Sequence, residues 1–423
     1  MKLGCIADDF TGGTDLANNL VRAGMRTVQL IGVPDAHHKV PAADALVVAL
    51  KSRTAPPAQA CAESLAAARW LRKAGAKQIY FKVCSTFDST AQGNIGPVTE
   101  ALMDELDASF VVITPAFPEN GRTVVTGHLF VGDVLLSDSS MRHHPLTPMT
   151  DSNLVRVMQA QLDGQRGRKV GLIDYRCVGA GVQAIHQRIT ALQAEGCSMA
   201  IVDALNDNDL RTLATASADL PLVVAGSGLA IGIPALHGFK ADPRAAHLPP
   251  PGGARAIVSG SCSAATQAQV AAFIAAGGAA LAIDPLRLAG AADGVGEALA
   301  WAAERMPAGP VLVYATAAAD AVRAVQQKLG VEQAGALVED TLARIAVGLV
   351  RAGVGQLIVA GGETSGACVK ALGISQLRIG PQIDPGVPWC HAPTPLRPDG
   401  LHLALKSGNF GGNTFFSHAF SLL

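Results

Sequence analysis

Short apolar runs of strand length alternate with amphipathic stretches of helix length along almost the whole chain, and this alternation constrains the fold more than any single motif. LGCIA (3 to 7) is followed by the helical stretch TDLANNLVRAG, ending on Gly24, and then by TVQLIGV. ALVVAL (45 to 50), a helix over APPAQACAESLAAARWLRKAG, QIYFKVCS, a helix from about 96 to 107 and SFVVITPAF repeat the pattern. Strand, helix, strand in this order reads as a series of βαβ units, whose strands pair in parallel and are covered by helices on both faces. The composition suits such an interior: 49% of residues are hydrophobic but only 4% aromatic, so small aliphatic side chains must fill the layers. One stretch breaks the alternation. GRTVVTGHLFVGDVLL has period-two character with internal glycines and is expected to form a β-hairpin. After PMTDSN caps a further helix, KVGLIDY, a helix over 178 to 194, MAIVDAL, a helix over 207 to 217 and LPLVVAGSG resume the series.

With 423 residues, the chain exceeds a single ordinary core. The best division is HGFKADPRAAHLPPPGGARA, where three prolines (249 to 251) and two glycines separate two apolar regions. The second half restarts its own series with AIVSGSCSAAT, ALAIDP, PVLVYAT, a long helix over about 331 to 353, QLIVAGGETSG and LHLALKSGNFGGNTFF. The expected fold is therefore α/β, with two domains (1–245 and 254–423), each a mostly parallel sheet flanked by helices, and an interdomain cleft.

A formal net charge of -1 and the lack of any basic stripe exclude a nucleic-acid surface. The eight cysteines are scattered without a CxxC pair, and most are expected to be reduced core residues. One lysine followed at once by a strand is not a signal peptide, and no apolar run is long enough to cross a bilayer, so no membrane partner and a cytoplasmic location are expected. The composition leaves a homo-oligomer open.

In open parallel sheets, ligands bind beyond the carboxyl ends of the strands. The loop ADDFTGGTD lies at such an end. Asp9 or Thr11 alone could cap the next helix, but two adjacent aspartates, Asp8 and Asp9, with a glycine turn exceed what a cap requires. Asp15 reads better as a capping or surface residue. FKVCSTFDSTAQGNIG supplies Lys82 within an apolar strand, then Ser85, Thr86, Asp88, Ser89 and Thr90, donors and charges suited to a polyhydroxylated or carboxylated small molecule. KSR offers Arg53, and TPAFPENGR offers Glu119, Asn120 and Arg122. His143 and His144 point apart and have no further ligand at metal spacing, so zinc is disfavoured. In the second half, SGSCSAAT, GGETSGA and KSGNFGGNT each combine glycine with hydroxyls at a strand end, a combination that suits phosphate. No GxxxxGK[ST] or GxGxxG is present. Such a chain could transfer a phosphoryl group to a small polar acceptor, or bind two ligands as a sensor that catalyses nothing.

Taken in order, IADDFTGGTD, KSR, FKVCSTFDST with GNIG, PAFPENGR, GGETSGA and LKSGNFGG resemble the four-carbon acid sugar kinase family from residue 3 to residue 420. TVVTGHLFVGD and MRHHPLTPMTDSNLVR are most similar to its 3-oxo-tetronate kinase branch. The family's usual alanine after ADDFTG is Gly13 here. The resemblance implies an ATP- and Mg²⁺-dependent kinase with an N-terminal acid-sugar domain and a C-terminal nucleotide domain, converting 3-oxo-tetronate to its 4-phosphate. A D-threonate or D-erythronate kinase is the alternative within the family. By motif, Asp8, Asp9, Arg53, Lys82 and Asp88 fall in the acceptor site, with Ser85 beside them. Ser259, Ser261, Gly361, Gly362, Glu363, Thr364, Gly408 and Gly411 fall on the nucleotide side. Asp9, ahead of Asp8, is expected to take the proton of the C4 hydroxyl, with Arg53 and Lys82 holding the substrate carboxylate. No residue is assigned to the metal.

Overall fold

The computed structural model describes residues 2–35, 37–144, 147–289 and 293–423. Met1, and Pro145 and Leu146 of the MRHHPLTP stretch, lie outside the described residues. The chain divides into two compact units, Met1–Ala246 and His247–Leu423.

The first unit contains β1 (Leu3–Ala7), β2 (Thr27–Ile31), β3 (Ala45–Ala49), β4 (Gln78–Lys82) and β5 (Val111–Thr114). An antiparallel ribbon follows, β6 (Arg122–Val125), β7 (His128–Val131) and β8 (Val134–Leu135), and then β9 (Val170–Ile173), β10 (Met199–Val202) and β11 (Leu222–Ala225). The eight non-ribbon strands run in the order β2-β3-β1-β4-β11-β5-β10-β9, all parallel. Helices on both faces explain why β1, β3 and β4 are buried at every residue. Two features of this order matter for function. First, β1 lies between β3 and β4, so the chain changes direction across the sheet there, with Ala7 in register with Ala49 and Lys82. Second, β11, the last strand of the unit, inserts between β4 and β5.

The ribbon forms where the period-two pattern predicts it. Buried Asp203 anchors it by accepting the N–H groups of Thr126 (2.6 Å), Gly127 (2.8 Å) and Tyr175 (2.9 Å). The helix expected over 178 to 194 is instead two, Tyr175–Gly179 and Val182–Ala194, because Gly181 takes a φ of 97° between them.

The second unit contains β12 (Ala254–Ser259), β13 (Ala279–Ala282), β14 (Val311–Tyr314), β15 (Val354–Ala360), β16 (Gln376–Asp384), β17 (Val387–Thr394) and β18 (Arg397–Lys406). Strands β13-β14-β12-β15-β18 are parallel neighbours, and β17 and β16 extend them antiparallel to β18. The hairpin β16–β17 was not expected. The triple-proline stretch belongs to this unit by its contacts, since the Pro249 carbonyl meets His402 Nε2 on β18 at 2.9 Å. All eight cysteines are free, but only Cys5, Cys368 and Cys390 are buried. The expectation that most are core residues fails, because five lie on helix flanks and loops at intermediate exposure. Among the described residues, no helix is long and apolar enough to cross a membrane.

Candidate active site

In the first unit, the strand order brings four of the sequence-selected residues together at the point where it reverses, beyond the carboxyl ends of β3, β1 and β4. Asp8 and Asp9 follow β1, Arg53 follows β3, and Lys82 closes β4. The backbone fixes this convergence: the N–H groups of Ser52 and Arg53 both donate to the Asp8 carbonyl, at 3.0 and 3.2 Å. Asn94 secures the Arg53 turn from outside, its Nδ2 donating to the carbonyls of Ser52 (2.6 Å), Arg53 (3.2 Å) and Ala55 (2.8 Å).

Arg53 is the hub. Its guanidinium grips Asp8 through two hydrogen bonds, Nε to Oδ2 at 2.8 Å and Nη2 to Oδ1 at 3.0 Å, and reaches Asp9 Oδ1 at 2.7 Å and Asp88 Oδ2 at 3.8 Å. Asp9 also caps the helix Phe10–Arg22, accepting from Gly12 N (3.0 Å) and Thr11 Oγ1 (2.7 Å). Cap and cluster are thus the same carboxylate. Burial raises its proton affinity, but Arg53, Lys82, Thr11 and the Gly12 N–H together outweigh burial and hold it below the ordinary carboxylate value. Lys82 is 3% exposed and meets Asp9 Oδ1 only at 3.9 Å. Burial works against its charge, and Asp9 and Asp8 restore it.

Ser85 and Asp88 lie in the buried turn after β4, where Thr86 Oγ1 donates to Asp88 Oδ1. This turn carries a strained residue: buried Phe87 has a φ of 51°, a conformation few bulky side chains adopt. His144 approaches from the ribbon side, and its Nδ1 accepts the Thr147 N–H at 3.0 Å. Its proton affinity is lowered by burial and adjusted by Asp88 and Arg53. Exposed His143 is outside this group. Glu119 is outside it as well, bound to Arg22 at 2.7 Å at the far end of the first helix. Among the described residues, no group of three His, Cys, Asp or Glu could hold a metal.

Asp15 corrects its sequence-based reading. It neither caps a helix nor meets solvent: it is 3% exposed, and the hydroxyl of Ser227, which follows β11, donates to its Oδ2. Helical spacing alone puts Asp15 one turn beyond Thr11, but only the sheet order brings Ser227 to it.

Gly12 packs so closely that a Cβ there would overlap both Asp9 Oδ1 and the Lys82 ammonium. Gly12→Ala should therefore force Lys82 and Asp9 apart, weakening the binding of a small anionic ligand at this cluster about tenfold in a direct titration. Unchanged affinity would mean that Lys82 has no part in binding it.

In the second unit, the three glycine- and hydroxyl-rich loops leave adjacent strands β12, β15 and β18. They are bound to one another. Gly361 N donates to the Lys406 carbonyl at 2.8 Å, and Ser263 Oγ and Thr266 Oγ1 both donate to the Gly408 carbonyl, at 2.6 and 2.8 Å. Gln269 Nε2 reaches the carbonyls of Phe410, Gly411 and Gly412. Two helices, Ala264–Ala275 and Gly362–Ala371, start at these loops and direct their free amides to the same end of the sheet, where anions are favoured. Gly361 has a φ of 120°, which only glycine tolerates freely. Gly362 and Glu363 are exposed, Ser261, Gly408 and Gly411 are half-buried, and Thr364 is buried. Ser259 is fully buried, and its hydroxyl pairs with that of Thr316 at 2.7 Å.

The residue that sequence reasoning missed here is Lys406. It is fully buried, and its ammonium donates to Thr266 Oγ1 (3.0 Å) and to the carbonyls of Ser407 (2.9 Å), Gly408 (3.0 Å) and Phe410 (3.1 Å). Burial lowers its pKa to about 7. The surrounding oxygens oppose this, since a neutral amine would turn a lone pair toward carbonyl oxygen. The signal was a lysine closing an apolar strand, the same signal that singled out Lys82.

Comparison with known proteins agrees with this division of labour. Residues 3–233 match the sugar-binding N-terminal domain family and residues 256–416 the nucleotide-binding C-terminal domain family. The chain is 56% identical to a 3-oxo-tetronate kinase of Pseudomonas savastanoi pv. phaseolicola, covering 100% of this chain and 97% of that protein. It is 45% identical to the 3-oxo-tetronate kinase of Haemophilus influenzae, covering 99% and 98%. A solved Haemophilus influenzae protein of the DUF1537 family superposes with a TM-score of 0.77 at 44% identity, over 99% of both chains. A solved Salmonella typhimurium LT2 chain does so with a TM-score of 0.82 at 44% identity, over 99% and 98%. With both halves matched in order and the relatives aligned from end to end, the chain belongs to the four-carbon acid sugar kinase family.

Proposed function

We propose that this protein transfers the γ-phosphoryl group of ATP to the C4 hydroxyl of 3-oxo-tetronate, yielding the 4-phosphate and ADP. The observation that carries this reading is the cluster of buried Asp8 and Lys82 with half-buried Asp9 and Arg53 at the strand-order reversal of the sugar-binding unit, in a chain that also holds a nucleotide-binding unit.

Each group has a distinct task. Arg53 is committed to Asp8 and Asp9, so its main effect is to fix both carboxylates. Lys82, loosely paired, is the cation that takes the substrate carboxylate. Asp9 accepts the C4 hydroxyl proton. Its side chain is 21% exposed against 6% for Asp8, and both Asp8 oxygens are held by Arg53. A carboxylate of low proton affinity is adequate here, because in a loose phosphoryl-transfer transition state the attacking hydroxyl keeps its proton until late. The amides of the Gly361–Thr364 and Ser407–Gly411 loops then stabilise the phosphates. Mg²⁺ entering with the nucleotide would offset phosphate charge; among the described residues no group of three His, Cys, Asp or Glu could hold the ion by itself.

The test is ADP release with Mg·ATP and a panel of four-carbon acids. Turnover confined to the 3-oxo-tetronates is expected. Turnover only with D-threonate or D-erythronate would replace the acceptor but keep the chemistry, and silence across the panel would favour a sensor that binds without reacting.

A further inference from the structure

Asp15, like Asp88, is a carboxyl beside the acceptor cluster to which the mechanism assigns nothing, and it differs from Asp88 in lying apart from Arg53. It is 3% exposed, its Oδ2 is occupied by the Ser227 hydroxyl, and its Oδ1 is buried without a hydrogen-bond partner. The groups that face it are Asp9 at the start of its own helix, Lys82 and the phenol of Tyr80 on β4, Arg122 on β6 and Ser227 after β11. The local charges do not balance. Asp8, Asp9, Asp15 and Asp88 would carry four negative charges, and Arg53, Lys82 and Arg122 carry three positive, leaving one excess negative charge when all are ionised.

An acid sugar brings a further negative charge to this cluster. Something must compensate for it, and a buried carboxyl with an unsatisfied oxygen is the group with most to gain by taking a proton. We propose that Asp15 binds a proton when the substrate carboxylate enters the Lys82 site, and so acts as a positioning residue that keeps the Lys82 charge available to the substrate. The inference rests on the acid-sugar reading above. Burial raises Asp15 to about 7, with Lys82 and Ser227 pulling it down and Asp9 pushing it up, so the exchange falls near neutral pH.

The sign follows from linkage. Binding favours the protonated form, so below pH 7 Asp15 is already protonated and nothing is taken up. Above pH 7 each binding event must bring the proton in, and affinity weakens by up to about tenfold per pH unit until the pKa of the bound state is reached.

The experiment is calorimetric titration of the full chain with 3-oxo-tetronate, without nucleotide, in PIPES and Tris buffers between pH 6 and 8.5. Uptake on the order of half a proton is expected for the wild type near pH 7.5. Asp15→Asn keeps an acceptor for Ser227 and should bind with no uptake and a flat pH profile. Ser227→Ala removes a hydrogen bond that favours the ionised form and should move the inflection to higher pH, which a merely structural role for Asp15 would not do. His144 is distinguished from Asp15 because its titration lies below the ordinary histidine value and persists in Asp15→Asn. Binding without uptake in the wild type, or equal uptake in Asp15→Asn, would overturn the inference and leave the acid-sugar reading intact. Absence of both binding and ADP release would remove that reading and the inference with it.

Discussion

Asp9→Asn is expected to lower kcat by about 10²–10⁴-fold, the range for loss of a positioned proton acceptor, while the affinity for ATP changes by less than about twofold. Asparagine is as good a helix cap as aspartate and can still accept from Gly12 N, so the helix Phe10–Arg22 should survive. Arg53 keeps its two hydrogen bonds to Asp8, so the turn after β3 should survive as well. What is lost is one negative charge at the place proposed for the acceptor hydroxyl. Single-turnover ADP formation with saturating acceptor isolates that step from binding. Normal turnover would reduce Asp9 to a cap and move the proton-accepting role to Asp8 or Asp88.

The second large effect is expected in the other unit. Lys406→Met removes the fully buried ammonium that binds Thr266 and three loop carbonyls. Two consequences compete. Methionine relieves the cost of burying a charge, whereas the Ser407 carbonyl loses its side-chain donor, at about 1–3 kcal/mol for an unsatisfied group, and the Gly408 and Phe410 carbonyls keep only Ser263, Thr266 and Gln269. The second should dominate, lowering stability by about 2 kcal/mol and weakening nucleotide binding by about 10–100-fold as the loop loses its anchor. Arginine should not rescue it, since a planar fork cannot replace a compact ammonium inside a ring of oxygens. The measurements are the unfolding midpoint and the nucleotide Kd, with acid-sugar affinity as the internal control. Unchanged nucleotide affinity would make Lys406 a packing residue.

Sequence and structure agree where local chemistry decides the outcome. Asp8, Asp9 and Lys82 stand out because charges rarely end apolar strands without a ligand or partner, and the structure gives them Arg53 and one another. Asp15 could not be read in this way. Its environment depends on Ser227, 212 positions later, and on a strand order that no local pattern encodes. The hairpin β16–β17 escaped for the opposite reason: Pro381 and Pro388 interrupt the strand pattern, and proline normally argues against a strand. The structure accommodates Pro381 between two register shifts, after Ile379 and after Gln382, and turns the chain at Gly386 with a φ of 79°. Asn94, within GNIG, carries no local signal of its role, because the three carbonyls it binds, spread over Ser52 to Ala55, are invisible from its own neighbourhood.

The position of β11 reaches beyond the site. As the chain leaves the ribosome, β1 to β5 emerge long before residue 222, yet β4 and β5 have no direct partner in each other: the place between them waits for the last strand of the unit. Until it arrives, two apolar strand edges stay open, a condition that invites pairing with other chains. That same strand delivers Ser227 to Asp15 and the Gly226 carbonyl to the Tyr80 hydroxyl. A nascent or truncated chain that stops short of it should therefore be a client for chaperones with no acid-sugar site, and acid-sugar binding should appear in one step with the closing of the sheet.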